Sequence, residues 1–201
     1  MAFPPRIALA TRNGHKIREL GQICADWPVE WVTVQNHDPD AFPDVEETGD
    51  TYLENAVLKA RAVAEALGIP ALADDSGIEV DALGGKPGPR SARFAGLDAS
   101  DERNLNELIR ALRGVPSGGR TARYRCLAVL AFPGGADLHA EGICEGTLEP
   151  RPRGSGGFGY DPIFVPVGWD ETMAELTAEQ KDRISHRGRA FRGLRDRLAA
   201  G

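Results

Sequence analysis

The sequence is poor in cysteine, has no long apolar run and carries more acid than base. Three cysteines, Cys24, Cys126 and Cys144, are odd in number, far apart and set in apolar segments. That pattern excludes a disulfide framework or a zinc site and fits reduced core thiols in the cytoplasm. No window approaches the length of a membrane span, and the stretch up to Ala10 has one arginine, so a soluble, unexported chain is expected. Against 30 acidic residues stand 24 lysines and arginines, a net charge of −6, with a pI near 5.3. Such a balance opposes general affinity for a nucleic-acid backbone, while a free nucleotide needs only a local basic pocket. Repeats, low-complexity tracts and long linkers are absent too. The 201 residues are therefore expected to form one globular domain, 1–201, with enough chain for one core or for two lobes on one sheet.

What is present centres on Ala71-Leu72-Ala73-Asp74-Asp75-Ser76-Gly77, an apolar run that ends in two carboxylates, a hydroxyl and a glycine. The run predicts a buried strand delivering charge to a sheet edge. Neighbouring side chains on a strand point to opposite faces, so both acids enter one site only if the backbone turns between or just after them. Gly77 permits that turn. Acids at a strand end suit a hard cation such as Mg²⁺, which shares oxygen ligands with substrate phosphates. An Asx turn closing a strand is the plainer alternative.

Upstream, Arg6–Ala10 predicts a first strand, followed by Thr11-Arg12-Asn13-Gly14-His15-Lys16 and then Ile17, Leu20 and Cys24 at helical spacing. Asn13 is a candidate cap. First-turn N–H groups, with Lys16, form a candidate phosphate cradle that lacks the P-loop signature. A strand near 30–34 and a loop over 36–45 lead to Glu46-Glu47-Thr48-Gly49. Thr51-x-x-Glu54 is a capping-box pattern, and Leu53, Val57, Ala60, Ala64 and Leu67 give one apolar face ending at Gly68 and Pro70. Asn55 and Lys59, four apart on a different face, either meet solvent or line a cleft.

Further on, Gly84–Arg90 is too rich in Gly and Pro for regular structure, and Leu105, Leu108, Ile109 and Leu112 mark a helix. The apolar run 124–132 and the alternating 138–145 flank Pro133-Gly134-Gly135-Ala136-Asp137, a hairpin signal. Parallel-compatible units with an antiparallel hairpin predict an α/β fold with a mixed sheet. In Gly154-Ser155-Gly156-Gly157-Phe158-Gly159-Tyr160-Asp161-Pro162, glycines allow close approach of a ligand, and Phe158 or Tyr160 could stack on a base. Equally, the aromatics could fill core space. Thr177-x-x-Gln180 caps a short helix carrying Lys181, and Ser185-His186-Arg187-Gly188 opens another with Phe191, Leu194 and Leu198 on its apolar face. Positive charge gains nothing from the dipole at a helix start, so His186 and Arg187 need another reason to be there.

Taken in order, Thr11-x-Asn13-x-x-Lys16, Glu46-Glu47-Thr48-Gly49, Glu54-Asn55-Ala56-x-x-Lys59-Ala60, Ala73–Gly77, Gly156–Pro162 and Ser185–Gly188 resemble the inosine/xanthosine triphosphate pyrophosphatase family over nearly the whole chain. The resemblance implies a long, twisted mixed sheet with flanking helices, two lobes around a nucleotide cleft, and a homodimer. It implies Mg²⁺-dependent hydrolysis of non-standard purine nucleoside triphosphates (ITP, XTP and their deoxy forms) to monophosphate and pyrophosphate. By matched motif, Asp75 would be the catalytic acid/base and a metal ligand with Glu46, and Glu47 and Asp74 would be further metal candidates. Thr11, Asn13 and Lys16 would meet the triphosphate, with Arg12, Gly14 and His15 as the variable residues of that loop. Ser76, Phe158, Gly159, Tyr160, Asp161, Lys181, His186 and Arg187 would complete the substrate site. The alternatives are a pyrophosphatase for modified pyrimidine or other aberrant nucleotides, and a nucleotide-binding regulator without turnover.

Overall fold

A computed structural model describes residues 3–200; Met1, Ala2 and Gly201, which the single-domain expectation includes, lie outside the described residues. The elements are β1 (Arg6–Leu9), α1 (Gly14–Ile23), β2 (Glu30–Val32), α2 (Tyr52–Leu67), β3 (Ala71–Val80), β4 (Lys86–Pro87), α3 (Asp101–Ala111), β5 (Thr121–Ala131), β6 (Asp137–Leu148), β7 (Phe164–Pro166), α4 (Ala178–Ile184) and α5 (His186–Ala200). The strands run in the order β2-β1-β3-β5-β6-β7, with β4 beside β3. Parallel pairing joins β1 to β2 and to β3, whereas β3 with β4 and β6 with β7 are antiparallel. The fold is thus the expected α/β type with a mixed sheet. Among the described residues, no helix is long and apolar enough to cross a membrane.

Local signals explain where the helices begin and end. The Thr51 hydroxyl accepts from Glu54 N, and the Glu54 carboxylate accepts from Thr51 N, the reciprocal pairing that satisfies two otherwise orphaned helix donors. Thr177 and Gln180 repeat it on α4. At the far end of α2, Gly68 takes φ +64°, a left-handed conformation that a Cβ would disfavour.

The described residues divide into two compact units, one of 3–75, 126–142 and 187–200, the other of 76–125 and 143–186. In the first, strand alternation sorts the core into two layers. Ile7, Leu9 and Leu72 pack with Leu20 of α1, with Cys24 at its C-cap and with Phe191, Leu194 and Leu198 of α5. Ala8, Ala71 and Ala73 pack on Ala56, Ala60, Val63 and Ala64 of α2. Small residues on that second face let α2 lie close to the sheet. In the second unit Ile78, Val80, Leu108, Tyr124, Cys144, Tyr160, Ile163, Phe164 and Met173 form a core of their own. All three cysteines are buried thiols.

Candidate active site

The acid pair departs from the expected geometry, because β3 does not end at it. Ala71–Val80 is one continuous strand through Asp74, Asp75, Ser76 and Gly77, so the anticipated turn is missing and the two carboxylates stay on opposite faces. Pairing with strands distant in sequence carries the strand on through Gly77, where the sequence pattern pointed to a turn.

Asp74 lies on the α1 and α5 face, its side chain closed off from solvent. Its Oδ2 accepts from Lys16 Nζ at 3.0 Å and from Arg187 Nε and Nη2 at 3.3 and 3.1 Å. Glu19, one turn along α1 from Lys16, accepts from Nη1 of the same guanidinium. Burial would push the Asp74 carboxyl up, but Lys16, Arg187 and Lys59 together hold it well below the usual carboxylate range. Burial opposes the charge on Arg187 as well, and Asp74 and Glu19 outweigh it. The Cys126 thiol, 3.9 Å from Asp74, is pushed far up by burial and that neighbouring charge, and is inert at neutral pH.

Asp75 faces α2. Asn55 Nδ2 donates to Asp75 Oδ2 at 3.1 Å, while Asn55 Oδ1 accepts from Gly49 N at 2.8 Å. Lys59 Nζ stands 2.6 Å from Glu47 Oε1 and 3.7 Å from Asp75 Oδ1, and donates to the Asp74 carbonyl at 2.9 Å. Of the two readings open for Asn55 and Lys59, burial excludes the solvated face: Asn55 is 0% exposed and the Lys59 side chain 15%, both turned to the acids. Desolvation raises the Asp75 carboxyl, Lys59 and Lys16 pull it back, and Glu47 raises it again, leaving it above its ordinary value. Neighbours one residue apart are thus driven in opposite directions. Lys59 is desolvated too, yet Asp75, Glu47 and Asp74 keep its ammonium above the normal lysine value.

The four candidate metal ligands lie in different surroundings. Glu46 is exposed, and Glu47 is the acid that shares Lys59 with Asp75. Asp74 belongs to Lys16 and Arg187 across the sheet, so its carboxylate is not with Asp75. Among the described residues no three His, Cys, Asp or Glu side chains form a metal cage. Mg²⁺ does not require one: it is commonly held by one or two carboxylates plus substrate phosphates and water. The Asp75 and Glu47 carboxylates, gathered around an ammonium, fit such a hard cation.

At the start of α1, Asn13 is the cap, its Oδ1 accepting from His15 N and Lys16 N at 2.8 and 3.3 Å. Two N–H groups expected to cradle phosphate are therefore taken, and Lys16 Nζ is turned to Asp74. Thr11 Oγ1 accepts from Asn13 N. Arg12 donates to the Phe42 and Pro39 carbonyls, and His15 pairs with Arg18, which gives both a local task. Gly14 opens the helix.

In the second unit, Asp161 organises the glycine-rich loop. Its Oδ2 accepts from Lys181 Nζ at 2.7 Å and Phe158 N at 2.9 Å, and its Oδ1 from the Tyr124 hydroxyl at 3.2 Å. The Lys181 ammonium sits 5.2 Å from the Phe158 ring centroid. A Cβ on Gly157, where φ is +67°, would lie 2.1 Å from Asp161 Oδ2, and one on Gly154 would meet the Ala174 backbone at 2.6 Å. These glycines admit the protein's own chain; a Cβ on Gly159 would meet nothing within 4 Å. Tyr160 is a core residue whose hydroxyl donates to Ser91 O at 2.7 Å, which leaves Phe158 as the better candidate for stacking. Ser76 continues β3 directly after Asp75. His186, the first residue of α5, is stacked on Tyr124. Sequence reading missed Tyr124 and Glu19; position three residues beyond Lys16 on one helix face was the available signal for Glu19.

Known proteins place these clusters in context. A dITP/XTP pyrophosphatase of Streptomyces coelicolor is 51% identical over 94% of this chain and 94% of its own. A Ham1 protein of Coxiella burnetii matches with TM-score 0.87 and 38% identity, covering 98% of this chain and all of that one. The Staphylococcus aureus Ham1 protein matches at TM-score 0.84 and 40% identity, over 97% and 98%. The model of the Ham1 family matches residues 7–197, and the chain belongs to that family.

Proposed function

We propose that this protein hydrolyses non-standard purine nucleoside triphosphates, ITP, XTP and their deoxy forms, to the monophosphate and pyrophosphate. The observation that carries the chemistry is Asp75, a buried carboxyl raised above its ordinary value beside Lys59 and Glu47. A carboxylate made more basic by its surroundings is a better proton acceptor for an attacking water. The relative from Streptomyces coelicolor, named for dITP and XTP, supports the substrate class.

In this reading Asp75 orients a water toward the α-phosphorus and takes its proton as the new P–O bond forms. The anhydride oxygen leaves with pyrophosphate. Lys16 and Lys59 supply fixed positive charge to the phosphates, oriented before the substrate arrives, which is where electrostatic stabilisation is most effective. Asp75 and Glu47 would hold a Mg²⁺ ion, whose chemistry there is to neutralise phosphate oxygens and support charge on the leaving group.

The base end is assigned to Phe158 as a stacking face and to His186 as a donor, with Arg187, buried and already paired with Asp74 and Glu19, as the second candidate donor. Hypoxanthine and xanthine offer a keto oxygen where adenine offers an amino group. A donor that meets an amino group is left unpaired, and the mismatch rejects adenine. The buried thiols support a reducing compartment, the cytoplasm, and we take the working form to be a homodimer.

A panel of nucleoside triphosphates incubated with Mg²⁺, with products identified, tests the reading. ITP and XTP converted to monophosphate and pyrophosphate, well ahead of ATP, is the expected result. Preference for modified pyrimidines would move the protein to a different substrate class. Binding without pyrophosphate release would make it a regulator.

A further inference from the structure

We infer that Tyr124 of β5 is a positioning residue for base selection, setting the plane of the His186 ring and tying it to the loop that carries Phe158. The inference rests on the base-reading role given to His186 above. Three observations lead to it. First, the Tyr124 and His186 rings lie 4.6 Å apart between centroids with only 8° between their planes. At that separation a near-parallel pair is offset-stacked, one of the two geometries aromatic rings prefer, and tipping the imidazole out of plane would give up that contact. Second, the Tyr124 hydroxyl donates to Asp161 Oδ1, and Asp161 Oδ2 accepts from Phe158 N and Lys181 Nζ. One buried carboxylate thus joins the floor beneath His186 to the candidate stacking ring. Third, Tyr124 is itself packed against Phe164, with ring centroids 4.6 Å apart at 50°, and is 7% exposed.

A hydrogen-bond donor discriminates a keto oxygen from an amino group only if its direction is fixed. A ring free to rotate turns away from the wrong base at little cost, and the mismatch penalty disappears. Tyr124 removes that freedom by contact on the face of the ring. The planar contact matters most, because Asp161 keeps two further donors when the phenol is removed.

The test measures kcat/KM for ITP and for ATP in wild-type protein and in Tyr124→Phe, Tyr124→Met and Tyr124→Leu, the last two being non-aromatic side chains that keep the core filled. Thermal melting of each variant accompanies the kinetics. The ITP-to-ATP ratio is expected to fall about tenfold in the Met and Leu variants, the size of one lost donor mismatch, and to stay within about twofold in Tyr124→Phe. In a His186→Ala background, Tyr124→Met should leave the ratio unchanged. A Met or Leu variant that melts lower but keeps the wild-type ratio would make Tyr124 a core residue only and overturn the inference. So would an equal fall in the His186→Ala background, or a Phe variant as impaired as Met. Wild-type protein that hydrolyses ITP and ATP alike would instead overturn the underlying substrate reading, an outcome distinguishable before any variant is made.

Discussion

Asp74 and Asp75 are consecutive on β3, yet one carboxylate is held by Lys16 and Arg187 and the other by Asn55 and Lys59, on opposite faces of the sheet. Their environments push them apart: Asp74 is kept ionised as a counter-charge, and Asp75 is raised toward proton exchange. A division of roles between two chemically identical groups follows from which way each points.

Asp75→Asn should therefore remove turnover while leaving the fold in place. The amide has nearly the same shape but takes no proton and offers no anionic ligand, so a loss of at least about a hundredfold in kcat is expected from general-base catalysis alone. Pyrophosphate release at saturating Mg²⁺, beside an unchanged melting curve, checks it. Activity within threefold of wild type would remove Asp75 from the catalytic role.

The neighbouring substitution should act on stability instead. Asp74→Asn leaves Lys16 and Arg187 without their shared anion, and breaking a buried ion pair from one side costs about 3–5 kcal/mol. Denaturant melts of the two asparagine variants, compared directly, should show the larger loss at position 74. Equal stability of both would mean that Glu19 alone suffices to hold Arg187.

Metal dependence should separate the two glutamates. Chelation is expected to abolish turnover and Mg²⁺ to restore it. Glu47→Gln should raise the Mg²⁺ concentration required for half-maximal activity by about tenfold, one lost carboxylate ligand, whereas Glu46→Gln, at an exposed position, should change it less than twofold. The reverse ordering would return the ligand role to Glu46.

Lys16→Ala should weaken every nucleoside triphosphate alike, since phosphate charge does not depend on the base. Arg187→Ala should lower ITP turnover more than residual ATP turnover and so compress the ratio between them. Steady-state kinetics on both substrates distinguishes these patterns. Equal fractional losses in Arg187→Ala would assign Arg187 to phosphate or to structure.

Much of this was legible before any coordinates. Helix caps at Asn13, Thr51 and Thr177, the left-handed stop at Gly68 and the hairpin around 133–137 depend on a few neighbouring residues, and local chemistry decides them. Motif order was enough to single out Lys16, Glu47, Asp75, Asp161 and His186 as candidates. The course of β3 was not readable, because whether Asp-Asp-Ser-Gly turns or runs on depends on partners far away in sequence. Arg187 and Asp74, 113 residues apart, meet only in the fold. The same applies to Tyr124, which in the sequence is simply the first residue of an apolar run.

Asn55 bears on where a proton can rest. Its amide nitrogen faces Asp75 Oδ2 and its carbonyl faces Gly49 N, where a Cβ would lie 2.6 Å from the Glu54 Cβ and 2.8 Å from Asn55 Oδ1. Reversing the amide would break both bonds, so its orientation is defined by its neighbours. Oδ2 is then an acceptor for the amide N–H, so a proton resting there would share that oxygen with it, whereas Oδ1 is the oxygen on the Lys59 side. The two oxygens of this carboxyl are chemically distinct before any substrate is bound, and the asymmetry is written by a residue that never needs to touch the nucleotide.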